Sequence, residues 1–239
     1  DDVEAIGLVK FDFLGLATLT ILEIAREFIM KRHKGQENFA FENLPLDDAK
    51  VYKLFADGLT EAVFQFESRG MQGMLRDAKP TRLEDLIALN ALYRPGPMDN
   101  IDQFIESKQG RRKITYPLPA LEPILRETYG VIVYQEQVMQ IASVLASYTM
   151  GEADGLRKAM GKKKVDVMAT QMDQFLKGCA GRGVTERKAR RIWDAMEQFA
   201  GYGFNKSHSA AYAWLAYQTA YLKANYPAYF VAALLTSER

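Results

Sequence analysis

The sequence predicts a mainly α chain with a few short strands, an α+β class in which helices carry most of the length. Three observations lead to that class. Apolar residues return at helical spacing from Leu14 to Lys31, and again through most of the chain after Gly151. Alternation with a period of two is confined to short segments, chiefly Gly7 to Phe13, where Val9, Phe11 and Phe13 share one face and Lys10 and Asp12 the other. Helix-start residues punctuate the chain at Asp47-Asp48, at Thr81-Arg82-Leu83-Glu84 and at Pro227.

The first strand leads into the helix Leu14 to Lys31, whose apolar face carries Leu19, Leu22, Phe28 and Ile29. Lys34 to Asn38 is a loop. Asp47 or Asp48 caps a helix that ends near Gly58. Ala62 to Phe66 reads as a short strand. Thr81 and Glu84 have capping-box spacing, and the apolar helix Asp85 to Tyr93 continues from them. Arg94-Pro95-Gly96-Pro97 breaks that helix, because proline lacks an N–H and fixes φ. A helix surrounds Phe104, Lys108 to Tyr116 is a basic loop, and Pro119 to Glu127 is helical. Val131 to Tyr134 is a brief apolar strand. Glu136 to Ser147 returns to helical spacing through Val138, Ile141 and Leu145. Helices follow at 151–163, 165–179, 185–199, 207–225 and 228–237, the last entered through Pro227.

With 239 residues, 48% of them hydrophobic, the chain can bury a substantial core in one or two domains. Its 31 Lys and Arg against 30 Asp and Glu give a net charge of +1, which argues neither for nor against nucleic acid; the distribution of charge decides. The single Cys179 excludes an intrachain disulfide and suits a reducing cytoplasm; in Leu176 to Ala180 it reads as a small residue at a helix end. No apolar run approaches the ~20 residues of a membrane span, and no signal peptide is visible. The opening Asp1-Asp2-Val3-Glu4, without Met, is the start expected of a piece cut from something longer. There is no Ser-His-Asp or Cys-His arrangement for nucleophilic catalysis, no Cys/His spacing for zinc and no phosphate-cradling Gly-x-x-x-x-Gly-Lys-Ser/Thr loop.

Chemistry concentrates in three places. Gly201-Tyr202-Gly203 enters Phe204-Asn205-Lys206-Ser207-His208-Ser209, and a long helix begins there. A helix start exposes unpaired N–H groups and partial positive charge, so with Lys206 and His208 beside it the segment suits a phosphate; a plain cap before a buried helix fits the local pattern equally. Arg157, Lys158, Lys162, Lys163 and Lys164 crowd cations into a stretch with no acid between 156 and 165, which suits an anionic partner or a solvated basic face. Asp12 sits between two phenylalanines in a strand, where an ionised carboxylate needs solvent, a cation or a metal; pairing with Lys10 on an edge strand satisfies it without any ligand.

Six blocks in order carry a resemblance. They are Val9 to Leu16, Phe64 to Met71, Arg94 to Pro97, Tyr134 to Met139, Leu156 to Lys164 and Gly201 to Tyr212. Together they resemble the alpha subunits of bacterial DNA polymerase III, the C-family replicative polymerases, across essentially the whole chain. The resemblance implies a helical fingers domain at 46–239 attached to a palm-derived strand and helix, 1–45 being the C-terminal part of the palm. It implies nucleotidyl transfer in chromosomal replication, with Asp12 as catalytic residue and as one of three carboxylates holding two Mg²⁺ ions. The other two lie upstream in the family and have no counterpart here, so the isolated chain is expected to be inactive.

Arg157, Lys158, Asn205, Lys206, Ser207 and His208 are then the residues expected at the incoming dNTP, and the position of His208 at the helix start suits its ring to the sugar; whether it gates the sugar is left open by the sequence. Lys10, Arg69, Arg94, Tyr202 and Phe204 become active-site wall, and Lys162, Lys163 and Lys164 meet the DNA backbone. Implied partners are template-primer DNA, dNTP, the remaining polymerase chain, and a sliding clamp and proofreading exonuclease reached through regions not present here. No membrane partner is expected, and the setting is cytoplasmic and nucleoid-associated. The alternative is a non-catalytic helical module that binds nucleic acid or another replisome subunit.

Overall fold

The structure, a computed structural model, describes residues 6–9, 15–162, 165–200 and 202–238. The helices in chain order are α1 (Ala17–Arg32), α2 (Ala49–Ala56), α3 (Arg69–Ala78), α4 (Leu83–Leu92), α5 (Ile101–Lys108), α6 (Glu122–Leu125), α7 (Gln135–Ala146), α8 (Met150–Lys162), α9 (Val165–Gly181), α10 (Glu186–Ala200), α11 (Lys206–Asn225) and α12 (Pro227–Ser237). Short 3-10 turns at Phe41–Asn43, Pro97–Asn100, Pro119–Leu121 and Arg126–Thr128 join them. The mainly α expectation holds. The chain divides into two compact units, one of residues 1–44 with 221–239, the other of residues 45–220.

In the first unit, α1 buries Leu22, Ala25 and Ile29, and α12 buries Phe230 and Ala233. The His33 ring meets the edges of Tyr226 and Tyr229 at 5.2 and 5.8 Å. Pro227 opens α12, as its sequence position suggests. Most of the expected strand at 7–13 lies outside the described residues, and Gly7 stands in a turn at φ +79°.

In the second unit, Asp48 caps α2 by accepting from the amides of Lys50 and Val51 at 2.8 and 3.1 Å. The expected strand Ala62 to Phe66 is instead a pair of tight turns. Ala62 and Gln65 adopt positive φ, and the Thr60 hydroxyl donates to Phe66 O. Val63, Phe64 and Phe66 are all buried, so the apolar run is inserted into the core without the alternation a one-sided strand requires. The other expected strand, Val131 to Tyr134, is reduced to one parallel bridge between Tyr134 and Phe204.

The capping box at Thr81–Glu84 also departs from expectation. Asp85, not Glu84, accepts from the Thr81 amide at 2.9 Å. That carboxylate is fully buried. It also accepts from the Tyr129 hydroxyl at 2.7 Å and faces Arg82 Nε and Lys108 Nζ, each at 3.4 Å. A buried carboxylate needs this much compensation to stay in a low-dielectric setting.

Helices α7 to α10 surround a core that includes Ile141, Leu145, Leu156, Phe175, Ile192 and Trp193. Phe175 and Trp193 pack with ring centroids 5.6 Å apart. Burial of each such side chain contributes roughly 1.5–3 kcal/mol. Gly178 of α9 lies against Ala146 of α7 so closely that a Cβ would collide with its backbone, and this sets the approach of the two helices. Cys179 is buried beside it as a core residue, and burial pushes its thiol up to about 11.

Candidate functional site

Four segments from different parts of the second unit meet at the start of α11. The first is the loop after α4. Arg94 donates from Nε to Ala91 O at 2.9 Å, which satisfies a carbonyl in the last turn of α4. Its Nη2 reaches Tyr202 O at 2.7 Å, and the guanidinium carbon sits 4.3 Å from the Phe204 ring centroid. Burial lowers the Arg94 pKa from the usual arginine value. Two residues on, Gly96 takes φ +100°, and a Cβ there would run into the Tyr202 ring. Only glycine gives both that backbone angle and that approach.

The second segment is the start of α7. Gln137 Oε1 accepts from the amides of Val133 and Tyr134 at 2.7 and 3.0 Å, so the helix start is satisfied from within. This leaves Gln135 and Glu136 to reach outward. The Gln135 amide N–H donates to Phe204 O at 3.0 Å, and its side chain donates to Gly203 O at 2.9 Å.

The third segment is α8. Asp154, Arg157 and Lys158 meet at i, i+3 and i, i+4 spacing. Asp154 Oδ1 accepts from Arg157 Nε and Nη2 at 2.9 and 2.8 Å, and its Oδ2 lies 2.7 Å from Lys158 Nζ. The donors of Lys158, then Arg157, hold the Asp154 carboxyl below its ordinary value. Arg157 Nη1 continues to Gln135 Oε1 at 3.2 Å.

The fourth segment is α11 itself. Asn205 is its cap: Oδ1 accepts from the His208 amide at 2.8 Å. The Glu136 carboxylate lies on the same helix start, accepting from Asn205 Nδ2 at 2.9 Å and from the Lys206 amide at 3.2 and 3.1 Å. An anion is favoured at that position by the helix dipole. Lys206 Nζ pairs with Glu127 Oε2 at 2.7 Å and stands 5.5 Å from the Tyr134 ring centroid. Glu127 Oε1 and the Tyr134 hydroxyl are buried with no hydrogen-bond partner among the described residues. Burial, then the neighbouring Glu127, raises the Tyr134 phenol well above its ordinary pKa.

Most of the residues singled out from sequence therefore share one neighbourhood: Arg94, Arg157, Lys158, Tyr202, Phe204, Asn205, Lys206 and His208. His208 is exposed and joins an aromatic row, 5.3 Å from the Phe204 ring and 4.5 Å from Tyr212. Ser207 is exposed in the first turn of α11. Arg69 opens α3 and is exposed; its neighbour Gly70 packs against the Tyr93 hydroxyl, next to Arg94. Lys162 is the last residue of α8. Lys10, Asp12, Lys163 and Lys164 lie outside the described residues.

The absence of acid between 156 and 165 does not leave Arg157 and Lys158 without a counter-ion, because Asp154 stands one helical turn before them. The sequence reading gave no site role to Glu127, Gln135, Glu136 or Asp154, although Gln135 and Glu136 fall within the Tyr134 to Met139 block. Helical spacing reveals Asp154; the others are 68 to 79 residues from their partners on the 203–206 segment. Among the described residues, no group of three or more His, Cys, Asp or Glu side chains could hold a metal ion. These residues do not by themselves make a two-metal site.

The chain belongs to the family described as bacterial DNA polymerase III alpha subunit finger domain, which matches residues 18–183. Proteins named DNA polymerase III subunit alpha are close relatives. That of Aquifex aeolicus is 53% identical over 239 residues, covering 99% of this chain and 20% of its own length. That of Pseudomonas aeruginosa is 55% identical over 247 residues, covering 100% of this chain and 21% of its own. That of Borreliella burgdorferi is 53% identical over 238 residues, covering 100% and 20%. The chain thus spans about a fifth of the length of the relatives it matches. No helix among the described residues is long and apolar enough to cross a membrane.

Proposed function

We infer that this chain is part of a longer replicative DNA polymerase and supplies the fingers surface that receives the triphosphate of an incoming dNTP beside template-primer DNA. The observation that carries this reading is the link between Arg157 and the start of α11 through Gln135 and Glu136. Cations and helix-start N–H groups from distant parts of the chain share one hydrogen-bonded network. In nucleotidyl transfer the primer 3′-hydroxyl attacks the α-phosphate and pyrophosphate departs. Arg157, Lys158 and Lys206, with the Ser207 amide at the α11 start, would offset the triphosphate charge in a fixed arrangement.

In this reading residues 1–45 are the end of a palm and 46–239 the fingers. The boundary is close to the start of the compact unit 45–220, whereas residues 221–239 form one compact unit with 1–44. Arg69, Arg94, Tyr202 and Phe204 form the wall, with Lys10 from the palm. Asn205, Ser207 and His208 face the nucleotide, and Lys162, Lys163 and Lys164 follow the DNA backbone. Mg²⁺ belongs to the proposal with Asp12 as one ligand and the others outside this chain, so the chain alone is expected to be inactive. The clamp and exonuclease would be met through other parts of the protein, in a cytoplasmic, nucleoid-associated setting.

One observation favours the non-catalytic alternative: Arg157, Lys158 and Lys206 each have an internal carboxylate partner. That reading expects DNA binding without dNTP dependence. Crosslinking a photoreactive dNTP to the full-length polymerase containing this sequence separates the two. Label in the peptides around 154–158 and 202–208, competed by unlabelled dNTP, is the expected result. Label confined to other regions would leave the binding-module reading.

A further inference from the structure

We propose that Gln135 is a positioning residue that holds the Arg157 guanidinium and the Gly203–Phe204 backbone as one unit. The proposal rests on the reading of Arg157 as a phosphate ligand. The Gln135 side chain uses both ends of its amide. Oε1 accepts from Arg157 Nη1 at 3.2 Å, and Nε2 donates to Gly203 O at 2.9 Å. The partners fix which way the amide faces, since a guanidinium only donates and a carbonyl only accepts. The backbone of the same residue donates to Phe204 O at 3.0 Å, while Phe204 N donates to Val133 O at 3.4 Å. Gly203 permits this closeness: a Cβ there would stand 3.0 Å from Gln135 Cγ.

Arg157 shows why such a tie matters. Asp154 holds its Nε and Nη2 from within α8, so Gln135 is the contact that orients it from another element. Among the described residues, three of the five N–H groups of Arg157 are then engaged and two are not. A side chain with one donor and one acceptor on a rigid plane is required at position 135. Methionine has the length but no donor, and its thioether is only a weak acceptor. Glutamate keeps the acceptor for Arg157 but opposes Gly203 O.

The test is a double-mutant cycle in the full-length polymerase, using Q135M, R157A and the pair, with single-turnover dNTP incorporation and primer-template affinity as readouts. Q135M is expected to raise the dNTP KM roughly tenfold, leave primer-template affinity unchanged, and add little in the R157A background. The same KM cost in both backgrounds would show that Gln135 acts independently of Arg157 and overturn the proposal. If R157A itself leaves the dNTP KM unchanged, the phosphate reading fails and the proposal falls with it. Should Q135M fold poorly, Q135N, whose amide is one methylene too short to reach both partners, enters the same cycle and is judged by the same coupling.

Discussion

Glu136 and Lys206 meet at the start of α11: both oxygens of the carboxylate accept from the Lys206 backbone amide, at 3.2 and 3.1 Å. The place where a helix best receives an anion is therefore filled by a side chain from α7. Glu136→Gln removes the charge and keeps the shape. It is expected to lower stability by about 1 kcal/mol, read from urea unfolding. In the full-length polymerase it should leave the dNTP KM unchanged or lower it, because a competing negative charge is gone. A raised KM would mean that Glu136 assists nucleotide binding.

Asp154 gives a pH prediction. Its carboxyl is held below the ordinary value of 3.8 by hydrogen bonds from Lys158 and Arg157. A group with a lowered folded pKa stabilises the fold above its unfolded pKa, and that contribution is lost as pH falls through the folded value. The loss is therefore confined to strongly acid solution. Carboxyl NMR should find Asp154 titrating below the ordinary aspartate value, and moving back toward it in Lys158→Ala. An unshifted titration in the wild-type chain would break the assigned pairing.

The buried Asp85 is the structural counterpart. Asp85→Ala leaves Lys108, whose side chain is 9% exposed, without its carboxylate, and strands the Tyr129 hydroxyl and Thr81 amide. The expected cost is about 3–5 kcal/mol. Denaturant unfolding measures it, and a loss within about 0.5 kcal/mol, typical of surface positions, would contradict the described network.

Cys179 is expected to resist alkylation in the native chain. It is buried, and its thiol is pushed up to about 11, so little thiolate is present near neutrality. Iodoacetamide should modify it only once denaturant opens the core. Fast labelling under native conditions would contradict its place in the core that α7 to α10 surround.

Along α1, Leu22 and Ile29 are buried as expected, but Leu19 is 52% exposed. The helix α7 was legible in its apolar spacing, because periodicity reports burial. The turn at Ala62 to Phe66 was not, since a run of buried aromatics looks the same in a strand and in two tight turns; positive φ at Ala62 and Gln65 leaves no mark in their residue types. At the site, the sequence singled out the cations and the α11 start, and the structure links Arg157 to that start through Gln135. Their carboxylate partners were hidden for different reasons. Asp154 lies just outside the acid-free stretch, while Glu127 and Glu136 reach Lys206 across 79 and 70 residues, through folding alone.

The most direct test is single-turnover dNTP incorporation by the full-length polymerase carrying Lys206→Ala, with primer-template affinity measured alongside. Loss of one charge-assisted phosphate contact should raise the dNTP KM, or lower kcat/KM, by roughly tenfold to a hundredfold, with DNA affinity unchanged. Wild-type incorporation kinetics in a folded Lys206→Ala protein would contradict a triphosphate site at the start of α11.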